Sequence, residues 1–488
     1  MSNLQSVITK DFQDLRTWLR EIEKLGLLKI LEGVNPELEL GAITHMNAKH
    51  KKWTILFDKI KGHPEGFRLL VGVLLDSKRV ALTFGLPPTV TDIDLVKWFR
   101  ERMNYARKNY QKYDPEYVKT SPVLAHMEKG EKVNILKFPA PKWNEYDGGN
   151  YIGTADVIIT KDPDTGWINA GTYRLMVHNE RELGTWIASA RHARLHMYKY
   201  FNKGEEVPVV ISLGNHPALY ALSGIEVPYG VSEFNYLGAM LNYNWKVIEG
   251  PITGLPIPAD SEIAMEGYIT KEMRDEGPFG EYYGYYAGGR TKQPVIRIEA
   301  VYYRDNPILL GTSPGRPPYD YSYYRCPVRA ALIWDELEAA GIPGIQGVWA
   351  HEAGFSRAFN VISIKQLYAG HARQVGLIAS ACHAAAHGSR FTVIVDEDID
   401  PSNLYDVIWA MSSRTDPATG IDIIRDMPDT PLDPIAERKE YAEEYALGRV
   451  IIYACKPFSQ AIRNTFPKVV EPSPELQKEI KNKWKEIF

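Results

Sequence analysis

The sequence predicts a multidomain protein that combines α+β and α/β regions, and three observations lead to this prediction. The chain has 488 residues, more than one hydrophobic core usually encloses. Short strand-like runs between turn-rich segments fill its middle part, and helical and strand patterns alternate after residue 324. We therefore expect an N-terminal α/β segment (1–115), a middle β-barrel or sandwich domain (116–318), a C-terminal α/β domain (319–465) and a helical tail (466–488).

The composition is typical of a globular enzyme in a reducing compartment. Apolar residues make up 44% and charged residues 24% of the chain, which excludes a disordered or collagen-like protein. The net charge of −4 gives no sign of a nucleic-acid partner. Cys326, Cys382 and Cys455 are too far apart for a disulfide framework or a CxxC zinc site. Because no apolar run reaches the ~18 residues of a membrane span, we expect a cytoplasmic protein without a membrane partner.

Two helices are predicted in the N-terminal segment. The first covers residues 11–25, with Asp11 as its N-cap and Gly26 as its stop. Its apolar face consists of Phe12, Leu15, Leu19 and Ile22. The second helix, LVKWFRERMNYARKNYQKY, ends near residue 113.

The middle and C-terminal parts contain runs that predict strands and helices. The middle runs are ADVIIT, WINAGTYRLMV, VPVVISL, SEIAMEGYI and VIRIEAVYY. The later runs alternate between helix and strand: RAALIWDELEAAG, FNVISIK, ARQVGLIASACHAAAHG and FTVIVD. In the tail, the stripe of Leu476, Ile480 and Trp484 predicts a helix that docks on this chain or on a partner subunit.

Several familiar motifs are absent or incomplete. No GxxxxGK(S/T) or GxGxxG loop occurs, so a phosphate-bearing cofactor has to be held in another way. GTSPG at 311–315 matches GxSxG, but the prolines that follow disfavour the helix that a nucleophile elbow requires. HEAGF at 351–355 lacks the second histidine of a zinc protease, and DEDID at 396–400 fits a solvated strand end better than a magnesium site.

Asn169, His192 and Glu233 form a mixed oxygen and imidazole set in the middle region. This set suits Mg²⁺ or Mn²⁺, which complete their shells with water or a ligand phosphate. Each residue also has an ordinary structural explanation, such as a turn or a surface histidine. Asn169 lies five positions before Arg174, so in a regular strand the two would face opposite ways unless Gly171 marks a bulge.

The segment DEGPFGEYYGYY places two carboxylates, Glu276 and Glu281, at the ends of a Gly-Pro-Phe-Gly turn. Tyrosines 282, 283, 285 and 286 follow the second carboxylate directly. A surface salt bridge around a tight turn is the alternative explanation of these charges. A pair of acids beside apolar rings is also a common arrangement for proton transfer, because burial shifts the pKa of a carboxyl group upwards.

Together these segments resemble the UbiD-type decarboxylases, which use prenylated FMN. The resemblance rests on four motifs in order: N-x4-R (Asn169, Arg174), RH (Arg191, His192), GVSE (ending at Glu233) and EGPFGE (276–281). It runs from about residue 146 to 417 and is densest between 147 and 290. One departure is that HGSR, at 387–390, lacks the lysine that ferulic-acid-type members place before the corresponding strand.

The resemblance implies a split β-barrel flavin-binding domain joined by a linker helix to an α/β oligomerisation domain. It implies that Asn169, His192 and Glu233 hold Mn²⁺, Mg²⁺ or a similar ion on the flavin phosphate, and that K⁺ binds around Leu222, Ser223, Ile225 and Glu233. The cofactor contacts that it implies are Asn169, Gly171, Thr172, Tyr173, Arg174, Arg191, His192, Ser223, Gly224, Ile225 and Glu233.

The implied reaction is reversible, non-oxidative decarboxylation through a covalent adduct with the cofactor. Glu281 would donate the proton, Arg174 would orient the substrate carboxylate and Glu276 would hold Arg174. Substrates of the family are aromatic, heteroaromatic or α,β-unsaturated acids, or aryl thioesters; CO2 is the other reactant. The implied partners are a flavin prenyltransferase, as cofactor supplier, and further copies in a homodimer or homohexamer.

The sequence leaves other readings open. The tyrosines at 319, 321, 323 and 324 suit either a flat aromatic substrate or an interface. A metal-dependent hydrolase could use Asn169, His192 and Glu233 with Glu281 as its base. A flavin-binding chaperone or prenyl-transfer partner without turnover would not need Arg174 and Glu281.

Overall fold

A computed structural model describes residues 12–189, 191–438 and 445–487. Its twelve α-helices are α1 Leu15–Lys24, α2 Glu39–His50, α3 Ser77–Thr83, α4 Asp92–Asn109, α5 His192–Asn202, α6 Pro217–Ser223, α7 Glu233–Leu241, α8 Arg325–Ala339, α9 His371–Ala381, α10 Leu404–Arg414, α11 Phe458–Arg463 and α12 Pro474–Lys483 among the described residues.

The strands in the same part of the chain form four sheets. They are β1 Leu28–Glu32, β2 Thr54–Asp58, β3 Arg68–Val71, β4 Glu116–Tyr117, β5 His126–Lys129, β6 Tyr151–Gly153, β7 Val157–Lys161, β8 Ile168–Gly171, β9 Leu175–Val177, β10 Glu182–Thr185, β11 Val207–Leu213, β12 Lys246–Glu249, β13 Pro256–Pro258, β14 Ile263–Glu276, β15 Thr291–Tyr303, β16 Ile308–Leu310, β17 Ile345–Ala350, β18 Phe359–Ile364, β19 Phe391–Asp396, β20 Ile421–Asp429, β21 Glu437–Arg438 and β22 Tyr445–Ala454.

The N-terminal sheet has the order β1-β2-β3-β16. Its last strand comes from residues 308–310, so the first segment is tied to the end of the middle region. The first helix starts later than predicted because Asp14 is its N-cap: the side chain of Asp14 accepts a hydrogen bond from the Arg16 amide at 2.8 Å. The predicted cap, Asp11, lies outside the described residues.

The middle region consists mainly of one curled antiparallel sheet of nine strands, with a separate three-stranded sheet of order β13-β12-β4. The path of the nine-stranded sheet is β6-β9-β10-β15-β14-β11-β7-β8, and β5 pairs with β15. The predicted run WINAGTYRLMV is not one strand, because β8 ends at Gly171 and β9 begins at Leu175. A Cβ atom at Gly171 would lie only 2.4 Å from the Tyr173 hydroxyl, so the chain turns tightly here and Arg174 leaves the strand.

The C-terminal region is an α/β layer, as predicted. Its sheet has the order β17-β18-β19-β22-β20, with β21 on β22, and its central strands β18, β19 and β22 are parallel. α9 packs on β19 and β22. In the tail, α12 leaves Leu476 and Trp484 exposed, so the apolar stripe does not dock on this chain.

Three motifs set aside in the sequence have structural roles. No helix follows Ser313 until α8, so GTSPG is not a nucleophile elbow. Asp396 is buried and, with Asp398, pairs with Arg414, so DEDID is an ion-paired strand end and not a solvated one. No disulfide joins the three cysteines. Within the described ranges, no helix combines the length and the apolar character that crossing a membrane requires.

We expect the buried ion pair between Arg16 and Glu262 to stabilise the junction of α1 with the sheets. The two Glu262 oxygens accept hydrogen bonds from Nε and Nη2 of Arg16 at 2.8 and 2.7 Å, and the Glu262 side chain is fully buried. Glu262→Ala should lower the free energy of unfolding by about 3 kcal/mol, because it leaves the partly buried Arg16 without its carboxylate and the buried Ile308 amide without its acceptor. Urea unfolding monitored by tryptophan fluorescence measures this loss.

The matched control is Glu206→Ala, which breaks an exposed pair with Arg297. It should cost less than about 1 kcal/mol. Equal losses in the two variants would contradict the role given to the buried pair.

Candidate active site

A cleft opens between the nine-stranded sheet and the helices α5, α6, α7 and α8. The space between its atoms, counted together with the solvent at its mouth, is about 730 Å³. Its lining residues are Thr154, Asn169, Gly171, Thr172, Tyr173, Arg191, His192, Tyr220, Ser223, Gly224, Ile225, Glu226, Val227, Glu233, Tyr321, Tyr324 and Arg325. Ten of the residues predicted to contact a cofactor are in this set, and only Arg174 is not.

Glu233, the first residue of α7, is buried at the inner end of the cleft. Its carboxylate accepts hydrogen bonds from the Asn169 side chain at 2.8 Å and from the Ala170 amide at 2.6 Å. Burial raises the pKa of Glu233 to about 7, against these hydrogen bonds. A cation at this position would supply the positive charge that balances the buried Glu233 carboxylate.

His192 begins α5 and lines the same cleft. Its ring lies 4.8 Å from that of Trp167. Burial, with the charge of Arg191, lowers the pKa of His192, which favours the neutral imidazole that binds metals. No cluster of three or more His, Cys, Asp or Glu side chains among the described residues suits a metal ion. A site here would therefore depend on the amide oxygen of Asn169 as well.

The residues predicted for potassium lie at the end of α6. Ser223 and Ile225 line the cleft, and Leu222 is buried beneath them. The Ser223 carbonyl accepts a hydrogen bond from the Thr172 amide at 3.1 Å. The buried Ser223 hydroxyl has no hydrogen-bond partner in the described part of the chain. This uncommitted oxygen fits a cation ligand.

The guanidinium group of Arg174 is enclosed by two carboxylates. Its Nε and Nη2 atoms donate to the two oxygens of Glu276, each at 2.8 Å, and Nη1 donates to Glu281 at 2.5 Å. Burial acts against the charge of Arg174, but the hydrogen bonds and charges of the glutamates raise its pKa above the usual value. The ring faces of Trp186 and Phe279 lie 5.1 and 5.3 Å from the guanidinium carbon.

The turn that carries Glu281 is held by groups that the sequence patterns did not reveal. Asp147 is buried and accepts hydrogen bonds from the Gly280 and Asn144 amides at 3.1 and 2.9 Å. Tyr151 donates to Glu276 at 3.1 Å. Burial raises the pKa of Glu281, although the charge of Arg174 opposes this effect. Burial therefore favours the protonated form of Glu281.

The loop before α8 connects the carboxylate pair to the cleft. Tyr321 and Tyr324 line the cleft, whereas the Tyr323 hydroxyl donates to Asp92 at 2.6 Å. All four tyrosines of this loop, including Tyr319, are buried in this chain. The charge of Glu281 contributes to the raised pKa of Tyr321, about 12, for which burial is the main cause. The carboxylate pair and the cleft are thus neighbouring parts of one site.

The sequence patterns missed five residues of the cleft: Thr154, Tyr220, Glu226, Val227 and Arg325. The only signal for the last four was position, since each lies within a few residues of a predicted contact or of the tyrosine loop, whereas Thr154 lies 15 residues before Asn169. None belongs to a recognisable motif.

Family models match three consecutive parts of the chain. They describe the N-terminal domain (residues 19–97), the Rift-related domain (116–317) and the C-terminal domain (322–454) of 3-octaprenyl-4-hydroxybenzoate carboxy-lyase. The chain belongs to the UbiD family of carboxy-lyases. The predicted family and fold class are confirmed, and a metal-dependent hydrolase is no longer a candidate.

Relatives in the UbiD family match along nearly the whole chain. A phenolic acid decarboxylase of Escherichia coli O157:H7 is 31% identical, over 96% of this chain and 97% of that protein. A pyrrole-2-carboxylic acid decarboxylase of Pseudomonas aeruginosa is 29% identical, over 91% of each chain. The UbiD-class enzyme HmfF from Pelotomaculum thermopropionicum, solved with FMN, has a TM-score of 0.84 and 25% identity, covering 95% of this chain and 98% of its own.

Gly148 is expected to be essential for the position of Glu281. A Cβ atom at Gly148 would lie 2.0 Å from the carbonyl oxygen of Gly277, at the start of the turn that leads to Glu281. Gly148→Ala should displace this turn and lower kcat/KM for decarboxylation by at least about 100-fold. Flavin content should be unchanged.

Gly149→Ala is the matched control, because its Cβ atom would meet only the flexible side chain of Met176, at 3.3 Å. It should retain activity within a few-fold of wild type. Full activity in Gly148→Ala would contradict the close approach of the two backbone segments.

Proposed function

We propose that this enzyme interconverts an aromatic, heteroaromatic or α,β-unsaturated carboxylic acid and its decarboxylated product, with prenylated FMN as cofactor. The observation that carries the proposal is Arg174, fixed between two buried glutamates near the cleft in a UbiD-family chain. Support for the cofactor comes from HmfF: its evolved dimeric form, solved in complex with prFMN, is 25% identical to this chain with a TM-score of 0.80, covering 95% of this chain and 98% of its own.

The cofactor is proposed to bind in the cleft described above. Asn169, His192 and Glu233 would hold Mn²⁺, Mg²⁺ or a similar ion against its phosphate. The K⁺ ion would bind near Ser223, whose buried hydroxyl is unpaired among the described residues. The uncompensated Glu233 carboxylate and the absence of a phosphate-binding loop both fit this arrangement.

The size of the energy barrier explains why glutamates alone are insufficient. Loss of CO2 from an aryl or vinyl carbon leaves a poorly stabilised carbanion, whereas general acid catalysis contributes only about 10²- to 10⁴-fold, or roughly 3 to 5 kcal/mol. When bound, prenylated FMN supplies the covalent electron sink for this step.

Arg174 is proposed to orient the substrate carboxylate. A guanidinium group has five N–H donors, and the bonds to the two glutamates occupy three of those on Arg174. The remaining two can donate to a substrate carboxylate in a bidentate arrangement. Glu276 would keep the group in place through its two hydrogen bonds.

Glu281 is proposed to donate the proton that replaces CO2. Its raised pKa favours the protonated form when its contact with Arg174 is lost. A substrate carboxylate bound to Arg174 would share its positive charge and weaken its contact with Glu281. Substrate binding would therefore favour the protonated form of Glu281. The nearby tyrosines suit a flat substrate.

The same proposal extends to the source of the cofactor and to the assembly of the enzyme. A flavin prenyltransferase would provide the cofactor, and the reaction would be reversible at high CO2. An aryl thioester is a further substrate candidate. We propose that the C-terminal α/β region, with the exposed stripe of α12, forms a homodimer or homohexamer.

The proposed function is tested by identifying the bound cofactor and the reaction product of one protein preparation. Protein coexpressed with a flavin prenyltransferase should release a flavin heavier than FMN by a prenyl unit in mass spectrometry. It should also release CO2 from at least one acid of an aryl and α,β-unsaturated panel. Dialysis against a chelator should lower its flavin content. A protein that binds no flavin, or hydrolyses esters and leaves acids intact, would contradict the proposal.

Arg174→Lys separates orientation from charge. Lysine retains the positive charge but has no planar fork, so a bidentate carboxylate contact is lost. We expect kcat/KM for the best acid to fall at least about tenfold, equal to roughly 1.4 kcal/mol. Arg297→Lys, at an exposed pair with Glu206, is the control and should be unaffected. Equal turnover by Arg174→Lys and wild type would rule out the carboxylate contact.

A further inference from the structure

Four arginines lie where the cleft meets the C-terminal α/β region. Arg191 and Arg325 line the cleft. Arg329 lies one turn after Arg325 in α8, and Arg357 precedes β18. In the ranges 12–189, 191–438 and 445–487, none of these four guanidinium groups has a carboxylate within 4.0 Å. We call these four residues the arginine cluster.

Two carboxylates of the cleft, those of Glu226 and Glu233, are close to the cluster. Burial would raise the pKa of Glu226, but the positive charges of Arg329, Arg357 and Arg191, and the nearby His383, lower it. The charge of Arg191 also acts on Glu233. The His383 ring is 4.0 Å from the Glu226 carboxylate and is itself exposed. Four guanidinium groups therefore face two carboxylates, and positive charge remains in excess.

The arginines also act on one another. Burial and the charge of Arg357 lower the pKa of Arg329 to about 9, although Glu226 acts in the opposite direction. The one hydrogen bond found for the Arg329 side chain in the described structure goes to the neutral Ala384 carbonyl, at 2.6 Å. A bound anion would supply the missing negative charge and relieve this repulsion.

The cluster is next to the proposed proton donor. Tyr282 follows Glu281 directly, and its ring centre lies 5.6 Å from the guanidinium carbon of Arg325 and 6.0 Å from that of Arg357. Arg325 also stacks on the ring of Tyr321, at 4.5 Å. A substrate held at Arg174 and Glu281 could therefore reach the cluster with its far end.

Resting on the proposed function, we propose that the arginine cluster binds a second anionic group of the substrate, far from the carboxylate that is lost. The group is a carboxylate or a phosphate. Arginine forks bind both in bidentate fashion, and the open side of the cluster faces the cleft through Arg191 and Arg325. The substrate class is thus an unsaturated or aromatic acid with a second negatively charged group.

The experiment compares matched acids by calorimetric titration of the cofactor-loaded enzyme. Crotonate, with one anionic group, is compared with glutaconate and 4-phosphonocrotonate, which carry two. Cinnamate is compared in the same way with 4-carboxycinnamate. Wild type should bind at least one doubly anionic probe at least tenfold more tightly than its singly charged partner. The ranking of glutaconate and 4-phosphonocrotonate distinguishes a carboxylate from a phosphate.

Arg329→Gln and Arg357→Gln should reduce this preference to less than about twofold, with little change in the affinity for crotonate or cinnamate. Arg20→Gln, on the exposed face of α1, is the control and should keep the preference. Flavin content is measured for every variant by absorbance after denaturation. It should remain unchanged.

Three outcomes would overturn the inference: equal binding of all partners by wild type, no binding of any doubly charged probe, or loss of flavin from Arg329→Gln. The last would assign the cluster to the cofactor phosphate. If the enzyme releases CO2 from singly charged acids but has no preference for doubly charged ones, the inference fails and the proposed function stands. A charge preference without CO2 release from any acid would contradict the proposed function instead.

Discussion

The guanidinium group of Arg174 is buried between Glu276 and Glu281, and three segments have to meet for this contact to form. They are the connection between β8 and β9, the end of β14, and the turn that follows it. A buried arginine without its carboxylates would cost several kcal/mol, so the pairing fixes the curvature of the sheet at this point. The close backbone contact of Gly148 with Gly277 and the Asp147 side chain hold the turn in register.

Uncompensated charge at two positions gives the cleft its chemical character. Near α7, the buried Glu233 carboxylate is matched only by neutral donors and the distant charge of Arg191. Near α8, four guanidinium groups face only the carboxylates of Glu226 and Glu233. Charges of this kind are costly in a folded protein unless a ligand completes them. We infer that a cation bound near α7 and an anion bound near α8 stabilise the liganded state.

The sequence predicted the fold class because periodicity is local, and the patterns of α4, β11 and β15 are visible in a few residues. It also predicted the family, since four short motifs occur in order. It mistook WINAGTYRLMV for one strand because the tight packing of Gly171 on Tyr173 has no periodic signal. Asp147 and Arg325 were missed for a related reason: their roles arise from contacts between segments more than 100 residues apart or from a cleft assembled by several helices.

Proton delivery by Glu281, as proposed here, is the step that tests this account most directly. Glu281→Gln keeps the shape of the side chain but removes the transferable proton. With cofactor loading equal to wild type, the variant is incubated with the decarboxylated product in D2O, and exchange at the reacting carbon is measured by NMR. The account predicts that exchange and CO2 release both stop, and that bound flavin is retained. Exchange at the wild-type rate in Glu281→Gln would contradict it and assign the acid to another group.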